Sequence, residues 1–338
     1  MEIIRVQNLS KDYKIAKPRK GAYGVIRDMV KREWEYSTAL NNVSFSIDEG
    51  EIVGYIGPNG AGKSTTLKII SGVLYPTSGD VRVDGIVPYR NKKENASKIA
   101  LIAGQRSNLY WDLPVIDSFN LMKTIYKIPK TVYDDNMDKF CDILGIGPLL
   151  KMPVRQLSLG QRMRADFAVA LLHNPRIVYL DEPTIGLDVV AKDSIRDFIK
   201  QVNKERKTTI MLTSHDIADI ERVCNKVIVL DKGSIIFSGE ISKLKQEYGS
   251  KYCVMNVSFE DRHPELYLQG MKITENNGIY SIHFDRSHHS PSSVLSMLLE
   301  KGLKIVDFTL TESSLEDTIK EIYSTNKDNY EERLLVNN

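Results

Sequence analysis

Cysteine is scarce in this chain and scattered. Cys141, Cys224 and Cys253 are the only three in 338 residues, and no two stand at a paired spacing, so neither a disulfide framework nor a zinc site is indicated. Long apolar runs are missing as well. Without 18 or more consecutive apolar residues, no membrane-spanning helix is expected, and Met1-Glu2-Ile3-Ile4-Arg5 does not begin a secretory signal. The expectation is a chain that stays in the cytosol. Charge of one sign is lacking too: a formal net charge of +2 is too small to argue for a nucleic-acid partner. What remains is globular. With 42% hydrophobic and 27% charged residues the chain can bury a large core, and its length suggests about two domains.

The most informative stretch is Gly57-Pro58-Asn59-Gly60-Ala61-Gly62-Lys63-Ser64-Thr65, which fits the phosphate-loop pattern G-x-x-x-x-G-K-[S/T] without a mismatch. Upstream, Ile52-Val53-Gly54-Tyr55-Ile56 is a short apolar run that reads as a buried strand feeding the loop. Glycines at 57, 60 and 62 let the backbone form a concave nest of N–H groups, and the helix that follows adds the positive end of its dipole. A nucleotide polyphosphate suits such a cradle. Lys63 would reach the β- and γ-phosphates, and the Ser64 hydroxyl would ligate a bridging Mg²⁺.

Around that stretch the chain alternates strands and helices. Residues 2–7 read as an edge strand and Ser10-Lys11-Asp12-Tyr13 as a polar turn. Residues 14–38 interrupt the pattern as a basic insertion in which Val25, Ile26, Met29, Val30 and Trp34 fall at helical spacing, an amphipathic helix candidate. Strands resume at Val43–Ile47, 80–85 and Ile99–Ala103. Residues from about 106 to 173 read as a helical subdomain, broken by Pro129, Pro148 and Pro153. Strands and helices then alternate from 176 to 237, which is α/β layering.

Ile177-Val178-Tyr179-Leu180-Asp181-Glu182 is an apolar strand ending in two acids. Asp181 is placed to hold the Mg²⁺ shell and Glu182 to polarise an attacking water. A metal would pin one carboxylate ionised and leave its neighbour free to accept a proton. A GTPase is disfavoured, because the nearest match to the guanine-reading N-K-x-D pattern, Asn225-Lys226-Val227-Ile228, lacks the aspartate.

Leu157-Ser158-Leu159-Gly160-Gln161-Arg162 closes the helical subdomain. Taken as local chemistry it is a helix start, with Ser158 as N-cap and Gln161 three residues on as its capping-box partner. Together with the phosphate loop, Gln105, Asp181-Glu182, Gly186-Leu187-Asp188 and Ser214-His215-Asp216, it resembles the ATP-binding cassette (ABC) ATPases over about residues 2–240. Leu159 departs from the family's L-S-G-G-Q at the first glycine. The resemblance implies an α/β P-loop cassette, a mixed sheet plus the helical subdomain, that binds ATP and Mg²⁺. It implies Tyr13 as the aromatic stacking on adenine, Asn59 to Thr65 around the phosphates, and Gln105 touching the metal or water and sensing a membrane partner. Glu182 would be the base and His215 the residue contacting the γ-phosphate. Ser158, Gly160 and Gln161 would close over nucleotide on an opposite subunit, with Asp188 at the seam. One cassette per chain then implies a second ATPase subunit, and separate integral membrane subunits as further partners.

Residues of about 249–325 lie beyond the cassette. Lys251–Phe259, Gly278–Asp285 and Lys304–Leu310 read as strands, 291–301 and Glu312–Tyr323 as helices, a small α+β domain of ferredoxin-like flavour, with 326–338 as a frayed tail. The run Val306 to Asp317 resembles the end of cassette ATPases that serve type-2 bacterial exporters. The expectation is an exporter's ATPase subunit, peripheral on the inner face of the cell membrane. The alternatives are a soluble cassette ATPase acting on ribosomes or nucleic acid, and a weakly hydrolysing partner in a heterodimer, which Leu159 keeps open.

Overall fold

Strand β1 (Glu2–Ala16) runs antiparallel to β2 (Trp34–Asp48) on one side and to β4 (Ser78–Val83) on the other in the computed structural model of the chain. The residues described are 1–16, 34–104, 107–214, 216–248, 252–261, 263, 266–286, 288–311, 315–316, 318–320 and 322–323. β1 is thus the middle strand of a three-stranded sheet, where the sequence predicts an edge strand. Ser10 to Tyr13, expected as a turn, continue the strand. The irregular sequence appears instead as register shifts between Val6, Leu9, Lys11 and Asp12, with Asn8 at a φ of 50°. The insertion at 14–38 is corrected at both ends, because pairing continues out to Ala16↔Trp34. Trp34, which the helical spacing includes, is a strand residue with the Lys14 ammonium 4.6 Å from its ring. A ladder satisfies the backbone of residues 34–38, and that outweighs apolar spacing that reaches them at one position only. The other stripe residues, Val25, Ile26, Met29 and Val30, lie outside the described residues.

A second sheet carries the phosphate loop. Its strands are β3 (Ile52–Ile56), β5 (Ile99–Ala103), β6 (Ile177–Asp181), β7 (Thr209–Thr213), β8 (Lys226–Asp231) and β9 (Ser234–Glu240). They lie in the order β5-β6-β7-β3-β8-β9, parallel except for β9. The apolar sequences of β3, β6, β7 and β8 follow from burial on both faces. Tyr55, Tyr179 and Met211 are fully buried and join residues of the first sheet, Ile4, Leu40 and Val83 among them, in one core.

The helices between these strands are α1 (Lys63–Ile70), α2 (Lys92–Lys98), α3 (Val115–Ile125), α4 (Lys130–Leu144), α5 (Leu159–Leu171), α6 (Val189–Arg206) and α7 (Ile217–Val223). α2 is not legible in the sequence: it reads Lys-Lys-Glu-Asn-Ala-Ser-Lys, with no apolar stripe, and buries only Asn95, which donates to the Ser71 carbonyl at 2.9 Å. Residues 107–173 contain α3 to α5 and two single-turn 3₁₀ segments, Gly147–Leu149 and Val154–Gln156. The prolines sit at element starts, Pro129 before α4 and Pro153 before the second 3₁₀ turn, where a missing N–H costs nothing. Phe167 and Phe140 meet Phe198 of α6 edge to face at 6.0 and 6.1 Å.

The chain divides into two compact units, Met1–Glu240 and Ile241–Asn338. In the second, α8 (Ile241–Tyr248), β10 (Tyr252–Phe259), β11 (Lys272–Asn276), β12 (Ile279–Asp285), α9 (Pro291–Glu300) and β13 (Ile305–Thr311) are followed by helical residues within 315–323. The sheet order is β11-β12-β10-β13, antiparallel throughout, which is the ferredoxin-like order. Its first crossover, 260–271, holds no helix among the described residues. β11 is hidden in the sequence because Lys-Ile-Thr-Glu-Asn is polar. Its pairing is set by the two-residue turn Asn277-Gly278, both at positive φ, the arrangement that matches hairpin twist. The tail at 326–338 lies outside the described residues.

Candidate functional site

The loop leaves the C-terminal end of β3, and α1 begins at Lys63. Gly62 caps the helix at a φ of 107°, and a Cβ there would lie 2.5 Å from Leu40 Cδ2 and 2.6 Å from the Ala39 carbonyl oxygen. No other residue fits that position. Gly57 leads into Pro58, Asn59 and Gly60, which are exposed, while Ala61 is buried and its N–H donates to the Pro58 carbonyl at 3.1 Å. The Lys63 ammonium lies across the loop mouth, donating to the carbonyls of Gly57 at 2.6 Å and Pro58 at 3.1 Å. Burial holds its pKa below the usual lysine value, and the charges of Glu182 and Asp181 act in the opposite sense.

Asp181 ends β6, two strands from β3. Its Oδ1 accepts from the Thr213 hydroxyl at 2.6 Å and its Oδ2 from the Ser64 hydroxyl at 3.4 Å. Ser64 and Asp181, from the loop helix and from the acid strand, thus form one oxygen pair. Two protein oxygens beside a polyphosphate fit Mg²⁺, which keeps most of its waters and takes few protein ligands. Among the described residues no cluster of three or more His, Cys, Asp or Glu suits a metal, and Ser64 and Asp181 are the described oxygens that meet beside the loop.

Glu182 follows at a φ of 56°, a left-handed backbone that is uncommon outside glycine and worth a functional reading. Its N–H donates to the Thr213 carbonyl at 3.0 Å. Gly104 packs onto it from the end of β5. The Gly104 N–H donates to the Asp181 carbonyl at 2.9 Å, and a Cβ at 104 would lie 2.2 Å from the Glu182 carbonyl oxygen. Gln105 and His215 themselves lie outside the described residues. Their flanks, Gly104 and Asp216, meet the site's elements: the Asp216 carboxylate pairs with Lys192 of α6 at 2.5 Å, which holds its pKa below the usual carboxylate range.

Tyr13 reaches the site from β1. Its hydroxyl is 3.5 Å from Thr65 Oγ1, and its ring is 37% exposed, enough to stack on a base. Ser158 and Gln161 close the capping box at the start of α5, with Ser158 N–H donating to Gln161 Oε1 at 2.9 Å and Gln161 N–H to Ser158 Oγ at 3.3 Å. Leu159 turns toward Gly186, where a Cβ would lie 3.0 Å from Leu159 Cδ2, and a Cβ at Gly160 would meet that of Ala191 at 3.4 Å. Asp188 is the N-cap of α6, accepting from Ala191 N–H at 2.8 Å. The signature turn and the start of α6 therefore pack together within one chain.

Three supporting groups belong to no motif that the sequence shows. Asp166 of α5 is 2% exposed and accepts from Asn108 N–H at 2.6 Å and from the Ser107 hydroxyl at 2.8 Å. Burial pushes its pKa up to about 6 against those hydrogen bonds. Asp219 of α7, 1% exposed, accepts from Arg196 Nε at 2.7 Å and from the Thr184 hydroxyl, two residues past Glu182. Thr213 orients Asp181. The available signal for Asp166 is an acid directly between Ala165 and Phe167 at the head of the apolar run that continues to Leu171.

A phosphate loop at the end of one parallel strand, facing an Asp-Glu pair two strands away, defines a P-loop nucleotide site with the groups for phosphate hydrolysis. The profile of the ABC transporter family matches residues 40–185. The bacitracin transport ATP-binding protein BcrA of Bacillus licheniformis is 30% identical over 285 residues, covering 82% of this chain and 90% of that protein. The methionine import ATP-binding protein MetN of Geobacillus kaustophilus is 36% identical over 208 residues, 60% of each chain. Among solved structures, the dimeric post-hydrolysis state of the ATP-binding cassette MJ0796 bound to ADP and Pi superposes with a TM-score of 0.58 at 27% identity, over 70% of this chain and 98% of that one. The chain belongs to the ABC transporter family, as an ATP-binding ATPase subunit. Among the described residues no helix is long and apolar enough to cross a membrane.

Proposed function

We propose that the chain hydrolyses ATP as one of two cassette subunits that drive an exporter, docked on separate membrane subunits at the inner face of the cell membrane. The observation that carries the ATPase reading is the convergence of Lys63, Ser64, Asp181 and Glu182 at the C-terminal ends of β3 and β6. In this reading Lys63 and the loop N–H groups bind the β- and γ-phosphates, and Tyr13 stacks on adenine. Ser64 and Asp181 hold Mg²⁺, with Gln105 beside them, and the metal supplies charge neutralisation at the phosphate oxygens. Glu182 accepts a proton from the attacking water, and His215 contacts the γ-phosphate. The signature residues Ser158, Gly160 and Gln161, with Asp188, complete the site of the other subunit, so ATP favours a closed dimer and hydrolysis releases it.

The exporter direction rests on the resemblance of the Val306 to Asp317 run, within the second unit. A cleft of about 210 Å³ between β5, α3 and α5, lined by Leu101, Met122, Tyr126, Val169 and His173, supports docking of an apolar element from a membrane subunit.

The test of the ATPase reading is Glu182→Gln. It is expected to abolish turnover, leave Mg-ATP binding intact and accumulate ATP-bound dimers in sedimentation. Turnover within about threefold of wild type, roughly 0.7 kcal/mol of barrier, overturns the role given to Glu182.

A further inference from the structure

The sheet of the second unit ends on two unlike edges. β11, at one edge, carries Lys272 and Glu275, and charged side chains are the usual means by which an edge strand avoids pairing with another chain. β13, at the other, reads Ile-Val-Asp-Phe-Thr-Leu-Thr, with one charge, no lysine and no proline. Val306, Phe308 and Leu310 are 65%, 43% and 40% exposed. The register sets Val257 opposite Phe308 and Met255 opposite Leu310, so these two share the face of residues that are fully buried, and Val306, at the register shift where Phe259 pairs with Ile305, alternates with Phe308 onto the same face. The apolar face of the sheet thus runs on past its own cover. Among the described residues nothing pairs with the outer side of β13.

We infer that β13 pairs antiparallel with β13 of a second copy of this chain, joining two four-stranded sheets into one. The strand is self-complementary. A two-fold axis through Phe308 sets Phe308 against Phe308, Val306 against Leu310 and Asp307 against Thr309, so the apolar residues of both copies meet on one face and no like charges are opposed. Centring the axis on Asp307 would oppose two carboxylates. Centring it on Thr309 would carry Val306 beyond the partner's last strand residue, Thr311. The inference rests in part on the dimeric reading above: two cassettes in one assembly tether two second units, and tethering raises their effective concentration for each other.

Disulfide cross-linking of the full chain tests this, with Cys141 replaced by serine and the buried Cys224 and Cys253 retained. Phe308→Cys is expected to cross-link to itself under mild oxidant at least tenfold faster than Lys272→Cys on the opposite edge. As a second readout, Val306→Cys mixed with Leu310→Cys should cross-link at least fivefold faster than either alone. Rates for Phe308→Cys no greater than for Lys272→Cys, or cross-links to another protein in membranes, overturn the pairing. Each variant is also measured in the Glu182→Gln background with and without Mg-ATP. If that background dimerises with ATP while Phe308→Cys stays at the Lys272→Cys rate, the pairing fails and the ATPase reading stands. If it stays monomeric while Phe308→Cys still cross-links, the dimeric cassette reading fails and the pairing stands.

Discussion

Replacing Asp166 with asparagine should stabilise the protein at neutral pH, against the usual effect of removing a buried carboxylate that accepts hydrogen bonds. The Asp166 side chain is nearly shielded from solvent, and burial raises its pKa from 3.8 to about 6 in spite of the Ser107 hydroxyl and the Asn108 N–H. A rise of about two units corresponds to about 3 kcal/mol between the charged and neutral forms. The folded state therefore binds a proton that the unfolded chain has already lost between about pH 4 and 6. This contribution is absent below pH 4, weakens the fold progressively as pH rises toward 6, and is fully unfavourable above it. Asparagine keeps an oxygen for Asn108 and a donor for Ser107 while carrying no charge. Urea denaturation of wild type and Asp166→Asn from pH 4.5 to 8 isolates the effect in their difference. The variant should gain up to about 3 kcal/mol at pH 7.5, most of it lost by pH 4.5. A difference that does not change with pH, or a variant less stable by more than about 1 kcal/mol at pH 7.5, would refute the reasoning.

Two further outcomes follow from close packing behind Glu182. Gly104→Ala puts a methyl 2.2 Å from the Glu182 carbonyl oxygen, and backbone cannot yield as a flexible side chain can. The expected cost is about 1–3 kcal/mol of stability, with kcat for ATP down about 10- to 100-fold in steady-state assays; unchanged kcat would show that the contact does not set the position of Glu182. Asp219→Ala leaves the Arg196 guanidinium, 8% exposed, without its buried carboxylate, and should cost about 3–5 kcal/mol in urea denaturation. A loss below about 1 kcal/mol would mean that Asp193 alone compensates Arg196.

The sequence by itself determined those parts in which chemistry is local. The phosphate loop, the capping box at Ser158 and Gln161 and the apolar strand ending in Asp181 and Glu182 are each set by residues within a few positions of one another, so spacing alone exposes them. The buried parallel strands were legible for the same reason, as continuous apolar runs bounded by polar turns. Tertiary structure alone decided what depends on partners distant in the chain. Trp34 became a strand residue because Ala16 is its partner, and α2 forms although its sequence has no apolar face. The pairing of Ser64 with Asp181 spans 117 positions. The work of Asp166, 58 residues from Asn108, and of Gly104 against Glu182 could not be read beforehand, since a buried carboxylate or a missing methyl acquires its meaning only from the atoms that folding brings against it.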